Sequence, residues 1–121
     1  PMWGVAGGLN DAEIAGVAAY FAGQKPKPNA AGGEAAKIAA GKEIFLHGKG
    51  DAVPACFACH GNQAEGTEQA PRLAGQHAAY LLKQLHVFST SQRPSAVAMQ
   101  AIIHGLDEDD LNNLAVYLQS L

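Results

Sequence analysis

The only two cysteines of this 121-residue chain lie in one short run, Cys56-Phe57-Ala58-Cys59-His60. On a helical turn, this spacing brings both thiols to one side, where they can reach the two vinyl groups of a single porphyrin. The histidine that follows can offer its imidazole to the porphyrin iron and fill one axial position. The run therefore predicts one covalent haem c, attached through Cys56 and Cys59, with His60 as an iron ligand.

Two other chemistries use a Cys-x-x-Cys pair, and both fit the sequence less well. A thioredoxin-like redox pair requires a strand–helix–strand setting, and no strand pattern precedes Cys56. A structural zinc site requires four ligands, and the sequence contains no second cysteine pair. Covalent haem is therefore the favoured interpretation.

The composition is typical of a small helical protein. Alanine, leucine and glycine dominate, and β-branched residues are sparse, so we predict an all-α fold wrapped around one covalent haem. The formal net charge of −3 argues against a nucleic-acid partner and favours a basic or neutral docking partner. No apolar run approaches the length of a transmembrane segment.

Haem attachment to two thiols also predicts a cellular compartment. The chemistry indicates export to an oxidising space, so we expect a periplasmic protein. Residues 1–9 lack the basic start and the apolar segment of a signal peptide. We therefore expect the chain to be a mature or trimmed form.

A gapless repeat relates the two ends of the chain, with residues 2–20 lying over 99–117. Both copies place a helix N-cap at the same point, Asn10 in one and Asp107 in the other, with an acid three residues later. Residues 1–25 are therefore interpreted as the loop and helix left from a preceding haem domain. The alternative is an ordinary N-terminal amphipathic helix that resembles the C-terminal one by chance. The identical pairs are Met2 and Met99, Gly8 and Gly105, Leu9 and Leu106, Ala18 and Ala115, and Tyr20 and Tyr117.

The first helix carries an apolar face of Ile14, Val17 and Phe21 at helical spacing. If its original partner is absent, we expect this face to pack on the haem domain or on another chain. Pro26 and Pro28 end the helix, and the glycines that follow favour a flexible linker over residues 26–33.

The remaining chain, residues 34–121, is predicted to be one domain with three longer helices. These cover about 34–46, 77–88 and 108–119. Gly41 costs helix stability relative to alanine, so it indicates either close approach of another helix or a tolerated glycine. Tyr80 is assigned to the apolar face of the middle helix.

Met99 is the candidate for the second axial position of the iron. A methionine thioether is the common partner of histidine in electron-carrying cytochromes c, and it raises the reduction potential. The alternative is core packing, to which methionine is well suited. His104 and His47 are weaker competing ligands.

Several motifs together resemble a class I cytochrome c, and most closely the C-terminal domain of dihaem bacterial cytochromes c of the c-four type. The resemblance covers about residues 34–121 as a full domain, with residues 1–25 similar to the end of the first domain. The motifs are Gly41-x-x-x-Phe45, Cys56-x-x-Cys59-His60, Pro71-Arg72-Leu73-Ala74-Gly75-Gln76, Met99 and Leu114-x-x-Tyr117-Leu118.

This resemblance implies His60 and Met99 as the two iron ligands. It also implies that the Pro71 carbonyl accepts a hydrogen bond from the His60 ring, and that Arg72 and Tyr80 contact the haem propionates. By the same resemblance, the helix that carries Gly41 crosses the last helix near Tyr117.

The implied function is electron transfer by a haem c with both axial positions filled, rather than enzyme catalysis. We expect redox partners such as a terminal oxidase or a dehydrogenase, or a place as a module of a larger redox enzyme. The alternative is a haem enzyme or gas-binding sensor with an open or labile distal site. The sequence departs from the family pattern because it lacks the first haem domain. We therefore expect either a fragment of a dihaem protein or a protein whose N-terminal helix was recruited for oligomerisation.

Overall fold

A computed structural model describes residues 1–29 and 32–121 of the chain. Within these residues the regular structure is helical, with one isolated antiparallel bridge between Lys49 and Val53. The all-α prediction is confirmed. The helices are α1 (Met2–Gly7), α2 (Asp11–Ala22), α3 (Ala35–His47), α4 (Phe57–His60), α5 (Ala78–Phe88), α6 (Val97–Ile103) and α7 (Glu108–Ser120).

The core forms where α7 packs against α3 and α5. The side chains of Leu114, Ala115 and Leu118 on α7 are buried there. Phe45 on α3 is fully buried, and its ring centroid lies 5.5 Å from that of Tyr117. An aromatic pair at this separation adds to the burial of its apolar surface.

Gly41 allows the close crossing of α3 and α7. A Cβ atom at this position would lie 2.7 Å from the Cβ of Tyr117 and closer still to the Asn113 carbonyl. The predicted close approach is therefore confirmed, because backbone atoms of α7 occupy the space that a side chain would need.

Both predicted N-caps are present as complete capping boxes. Asn10 accepts from the amide of Glu13, and the Glu13 carboxylate accepts from the amide of Asn10, each at 2.9 Å. Asp107 and Asp110 repeat this exchange at the start of α7. Each box satisfies two backbone donors that a helix start would otherwise leave unpaired. The order of short helix, turn, capping box and long helix is thus the same at both ends of the chain.

The apolar face of α2 is exposed, whereas the equivalent face of α7 is buried. Ile14, Val17 and Phe21 remain 49%, 48% and 67% exposed. The expectation that this face packs on the haem domain is wrong for the described residues, and packing on another chain stays a prediction.

Two short helices, α1 and α6, were not predicted from the sequence. Neither has a side-chain cap, since Pro1 and Ala96 occupy the two N-cap positions. The assignment of Tyr80 to the apolar face of α5 is also wrong, because its side chain is 51% exposed while Leu81 is buried. Successive residues on a helix point about 100° apart, and here Leu82 rather than Tyr80 is the neighbour of Leu81 that packs against the core.

The linker is less free than its glycines suggest. Asn29 is half-buried, and its side-chain amide donates to Nδ1 of His77 at 3.1 Å. Ala30 and Ala31, which belong to the predicted flexible linker, lie outside the described residues. Among the described helices, none is both long and apolar enough to cross a membrane.

Candidate functional site

The Cys-x-x-Cys-His run forms a single helical turn, as predicted. The carbonyl of Cys56 accepts from the amides of Cys59, at 3.3 Å, and His60, at 3.0 Å. Gly61 ends the turn with a φ of 88°, a conformation that glycine adopts without steric cost. Cys56 and Cys59 form no disulfide, and the same turn carries both of them and the histidine.

One hydrogen bond, made by Nδ1, orients the imidazole ring of His60. Its Nδ1 lies 2.8 Å from the carbonyl oxygen of Pro71, and a carbonyl can only accept, so Nδ1 carries the proton. The residue is 8% exposed. No buried side-chain nitrogen or oxygen among the described residues lacks a partner. Because Nε2 forms no hydrogen bond with them, it must reach the surface, where it is available as a ligand.

The Pro71 carbonyl is held in place by the segments on either side of it. Leu73 and Ala74 both donate their amides to the carbonyl of Ala64, at 2.8 and 3.0 Å, and Gly75 donates to the carbonyl of Leu118 on α7 at 2.9 Å. Ala64 is fully buried. These bonds join the histidine-orienting segment to the helical core.

The loop after the turn is tied back to the turn itself. The amide of Gly66 donates to the His60 carbonyl at 2.8 Å, and the Thr67 hydroxyl donates to the Cys59 carbonyl at 2.6 Å. Gly66 has a φ of 88°, and a Cβ there would lie 2.6 Å from the amide nitrogen of Arg72. The carbonyls at the end of α4, which the helix leaves unpaired, are therefore satisfied by this loop.

The two thiols have different surroundings. Cys59 is exposed, whereas Cys56 is half-buried, with its Sγ 4.0 Å from the carbonyl oxygen of Ile44. Burial raises the pKa of the Cys56 thiol, since desolvation disfavours the thiolate. The fixed backbone of the turn therefore presents one thiol at the surface and one against α3.

The pKa of a carboxyl group close to the turn, that of Glu65, is also shifted. The pKa of Glu65 is lowered, first by its own backbone N–H and then by the amide of Gln63, which donates to Oε2 at 2.7 Å. Glu65 therefore stays ionised at neutral pH and keeps the start of the loop folded back towards Gly61.

The remaining predicted site residues lie outside this hydrogen-bonded unit. Met99 is half-buried on α6, and Arg72 and Tyr80 are exposed. The competing histidines are both exposed: His47 ends α3 and His104 follows α6. The structure thus brings together Cys56, Cys59, His60 and Pro71, while the roles of the other residues stay predictions.

The ion pairs that hold the segment before the turn were not predictable from the sequence. Lys49 donates to Asp107 at 3.1 Å and also pairs with Asp110. The pKa of Lys49 is raised by these bonds, chiefly the one to Asp110. Val53, which is 1% exposed, forms the backbone bridge with Lys49. Glycines surround this lysine in the sequence, and that pattern predicts a loop but does not reveal its contact with α7.

The donor set fits haem c. Within the part of the chain that the structure describes, no cluster of three or more His, Cys, Asp and Glu side chains could hold a metal ion. His60 instead presents one nitrogen without a hydrogen bond, the opposite nitrogen being bonded to Pro71, and it lies next to two cysteines on one turn. Two thioether links and one imidazole nitrogen are the groups that a c-type haem takes from such a turn.

Comparison with known proteins gives the same assignment. Residues 38–121 match the family model described as cytochrome c. A cytochrome c-552 from Acidithiobacillus ferridurans is 37% identical over 121 residues, covering 99% of this chain and 52% of the relative. A thiosulfate dehydrogenase electron acceptor from Stutzerimonas stutzeri is 36% identical over 89 residues, covering 71% of this chain and 41% of that protein. The chain thus spans about half the length of the curated relatives it matches.

The fold is shared with a solved structure of the same kind. A cytochrome c4 structure from Acidithiobacillus ferrooxidans superposes with a TM-score of 0.86 at 37% identity, covering 99% of this chain and 71% of that one. On the motif, the hydrogen-bonded turn and the family match, the chain belongs to the cytochrome c family, and its haem c is covalently bound.

Proposed function

We propose that this chain is an electron carrier whose haem c has His60 and Met99 as its axial ligands. The observation that carries the proposal is the hydrogen bond from His60 Nδ1 to the Pro71 carbonyl. This bond sets the tautomer that leaves Nε2 free for iron. A haem c supplies one-electron chemistry between ferrous and ferric iron.

Each side chain then has a defined role. Cys56 and Cys59 bind the cofactor irreversibly through thioethers, so it is not lost during repeated electron exchange. Pro71 orients the proximal histidine. Met99, as a thioether ligand, occupies the second axial position and favours the reduced state relative to a second histidine.

Two further residues are assigned to the propionates. Arg72 directly follows the histidine-orienting carbonyl, and Tyr80 lies on the exposed side of α5. A guanidinium and a phenol are both hydrogen-bond donors suited to carboxylates. Their exposure supports contact with groups at the rim of a cofactor rather than with the apolar core.

The partner is proposed to be a redox enzyme that docks weakly. One relative is a thiosulfate dehydrogenase electron acceptor, which supports a dehydrogenase as an electron donor; a terminal oxidase is the matching acceptor. The net charge of −3 suits a basic or neutral docking surface. Covalent haem attachment supports a periplasmic location. We infer that the chain performs no catalysis of its own, whether it acts alone or as a module of a larger enzyme.

Residues 1–25 are proposed to belong to a preceding haem domain. The order of helix, turn and capping box in α1 and α2 repeats that of α6 and α7. In α7 the face equivalent to Ile14 and Val17 is buried against α3. We therefore infer that a helix of the same kind covers α2 in a longer protein, with residues 26–33 as the linker and 34–121 as the second domain.

The ligand assignment is tested with the two methionines of the chain. Met99→Ala should abolish the weak far-red absorption band that a methionine–iron bond produces in the ferric protein, and should accelerate carbon monoxide binding to the ferrous protein. Met2→Ala is the matched control, since Met2 is 73% exposed on α1 and should leave both signals unchanged.

Two outcomes would contradict the proposal. An unaltered far-red band in the Met99→Ala protein would remove Met99 from the iron. Rapid carbon monoxide binding by the unmodified protein would favour a haem enzyme or gas-binding sensor with a labile distal ligand. Intact mass of the denatured holoprotein counts the covalent haems independently of either result.

A further inference from the structure

The described residues of the linker between α2 and α3 make contacts with the haem domain that a free tether would lack. The first is the hydrogen bond from the Asn29 amide to Nδ1 of His77 at 3.1 Å. The second is the hydrogen bond from Nε2 of Gln119 to the Gly32 carbonyl at 3.3 Å. These two contacts lie on either side of the two residues outside the described part, and each joins the linker to a different helix end.

The linker also passes close to the domain at two glycines, Gly33 and Gly75. A Cβ on Gly33 would lie 2.5 Å from Cγ1 of Val116 on α7. A Cβ on Gly75 would lie 3.7 Å from the Lys27 carbonyl and 3.8 Å from the Asn29 amide nitrogen. The linker therefore packs directly on α7 at Gly33, whereas at Gly75 it leaves room for a Cβ atom.

The surface under the linker is itself held together by hydrogen bonds. His77 is the N-cap residue of α5, and the Gln119 side chain accepts from the amide of Ala78 at 2.7 Å. Gly75 donates to the carbonyl of Leu118 at 2.9 Å. The start of α5 and the end of α7 are thus bonded to each other and form one platform for the linker.

The linker sequence also lowers the entropic cost of docking. Pro26 and Pro28 each restrict φ, so the undocked segment has fewer conformations to lose than a glycine–serine tether of the same length. Few contacts are then needed to hold the linker on the platform. The two platform atoms that bond the linker, Gln119 Nε2 and His77 Nδ1, form no other hydrogen bond with the described residues.

We propose that the platform formed by the start of α5 and the end of α7 is a docking surface whose occupant is the chain's own linker. Asn29–His77 and Gly32–Gln119 are its two attachment points. Docking fixes where the chain leaves the haem domain, so the segment that precedes the linker is held at a defined place. This inference concerns the linker alone and does not depend on the identity of the iron ligands.

The test is backbone dynamics of the ferrous holoprotein by NMR relaxation. We expect order parameters close to the rigid-backbone value of about 0.85 at the amides of Lys27, Asn29 and Gly33. The variant His77→Ala/Gln119→Glu removes both attachment points but keeps a carboxylate oxygen to accept from Ala78. In this variant the three order parameters should fall below about 0.6.

A matched control separates this effect from a general loss of structure. His47→Ala/Gln92→Glu makes the same two substitutions at exposed side chains away from the linker and should leave the three amides rigid. Amides of α5 and α7 report folding in every variant. Order parameters below about 0.6 in the unmodified protein, or no decrease in the attachment variant, would overturn the proposal.

A second readout follows the segment that the linker positions. Trp3 is the only tryptophan and lies on α1, so haem quenches its fluorescence according to their separation. The unmodified holoprotein should show a narrow distribution of fluorescence lifetimes, and the attachment variant a broader one. Equal distributions in the two proteins would show that the contacts do not restrict the N-terminal segment.

Discussion

Gly41 and Tyr117 face each other where α3 crosses α7, and a Cβ on the glycine would lie 2.7 Å from the Cβ of the tyrosine. This crossing lets Phe45 pack against the Tyr117 ring one turn further along α3. The crossing places α3, near the start of the domain, against α7, the last helix. It therefore closes the domain around the turn that carries the haem.

Gly41→Ala should destabilise the holoprotein. The added methyl group would meet the carbonyl of Asn113, a backbone atom that cannot move aside by changing rotamer. Overpacking of this kind costs about 1–3 kcal/mol, which exceeds the gain in helix propensity of about 1 kcal/mol. Denaturant unfolding of the holoprotein measures the difference.

Gly16→Ala provides the control for that measurement. A Cβ at Gly16 on α2 would meet nothing within 4 Å, so only the favourable propensity term applies. The free energy of unfolding should stay constant or rise. An equally large loss in both variants would show that the crossing is not the cause.

Asp107 should contribute to stability in a way that disappears in acid. Its pKa is lowered, first by the backbone N–H of Asp110 and then by Lys49. A carboxyl with a lowered folded pKa stabilises the protein above the ordinary aspartate pKa of about 3.9. That contribution is lost as the pH falls through the lowered value.

Asp107→Asn isolates this contribution, because asparagine keeps an N-cap acceptor but has no charge. The unfolding free energies of the variant and the unmodified holoprotein should differ most near neutral pH and converge in acid. Asp109→Asn is the control, because it removes a neighbouring charge that lies outside the capping box. A variant difference that does not depend on pH would contradict the role assigned to the Asp107 charge.

The hydroxyl of Thr67 should stabilise the loop after the attachment turn. It donates to the Cys59 carbonyl and accepts from the amides of Gln69 and Ala70. Thr67→Val keeps the shape of the side chain but removes these bonds, and should lower the free energy of unfolding by about 1 kcal/mol. Thr67→Ser should retain most of that stability, and its failure to do so would point to packing of the methyl group instead.

Tyr117 should limit stability in alkali. Burial raises the pKa of its phenol, so an unfolded chain ionises this tyrosine more readily than the folded protein does. Stability from this group is complete below the ordinary tyrosine pKa of about 10 and is lost as the pH rises through the raised value. Tyr117→Phe keeps the ring against Phe45 and should flatten the alkaline limb of the stability curve. An unchanged alkaline limb would contradict the prediction.

The exposed face of α2 should cause association of the 121-residue chain. Ile14 and Phe21 are about half and two-thirds exposed, and apolar patches of this kind mark interaction surfaces. Ile14→Ser/Phe21→Ser should shift sedimentation or light scattering towards the monomer, whereas Val97→Ser, at a residue 70% exposed on α6, should not. A monomeric unmodified protein at high concentration would argue against an unpartnered face.

Local chemistry explains which features could be predicted from the sequence. The spacing of Cys56, Cys59 and His60 specifies a turn and a cofactor, because both are determined within five residues. The caps at Asn10 and Asp107 were predictable for the same reason, since each box closes over three positions. Gly41 was ambiguous on its own, and only the arrangement of helices shows what approaches it.

The features that were missed depend on residues far apart in the chain. Lys49 reaches Asp107 and Asp110 across about 60 positions, and Asn29 reaches His77 across 48. No local pattern encodes such contacts, because they exist only once α7 and α5 have packed. The sequence by itself determined the haem attachment, the helical class and the repeated ends. The tertiary structure decided how the His60 ring is oriented and where the linker contacts the domain, since both require packing that brings groups from separate segments within hydrogen-bond distance.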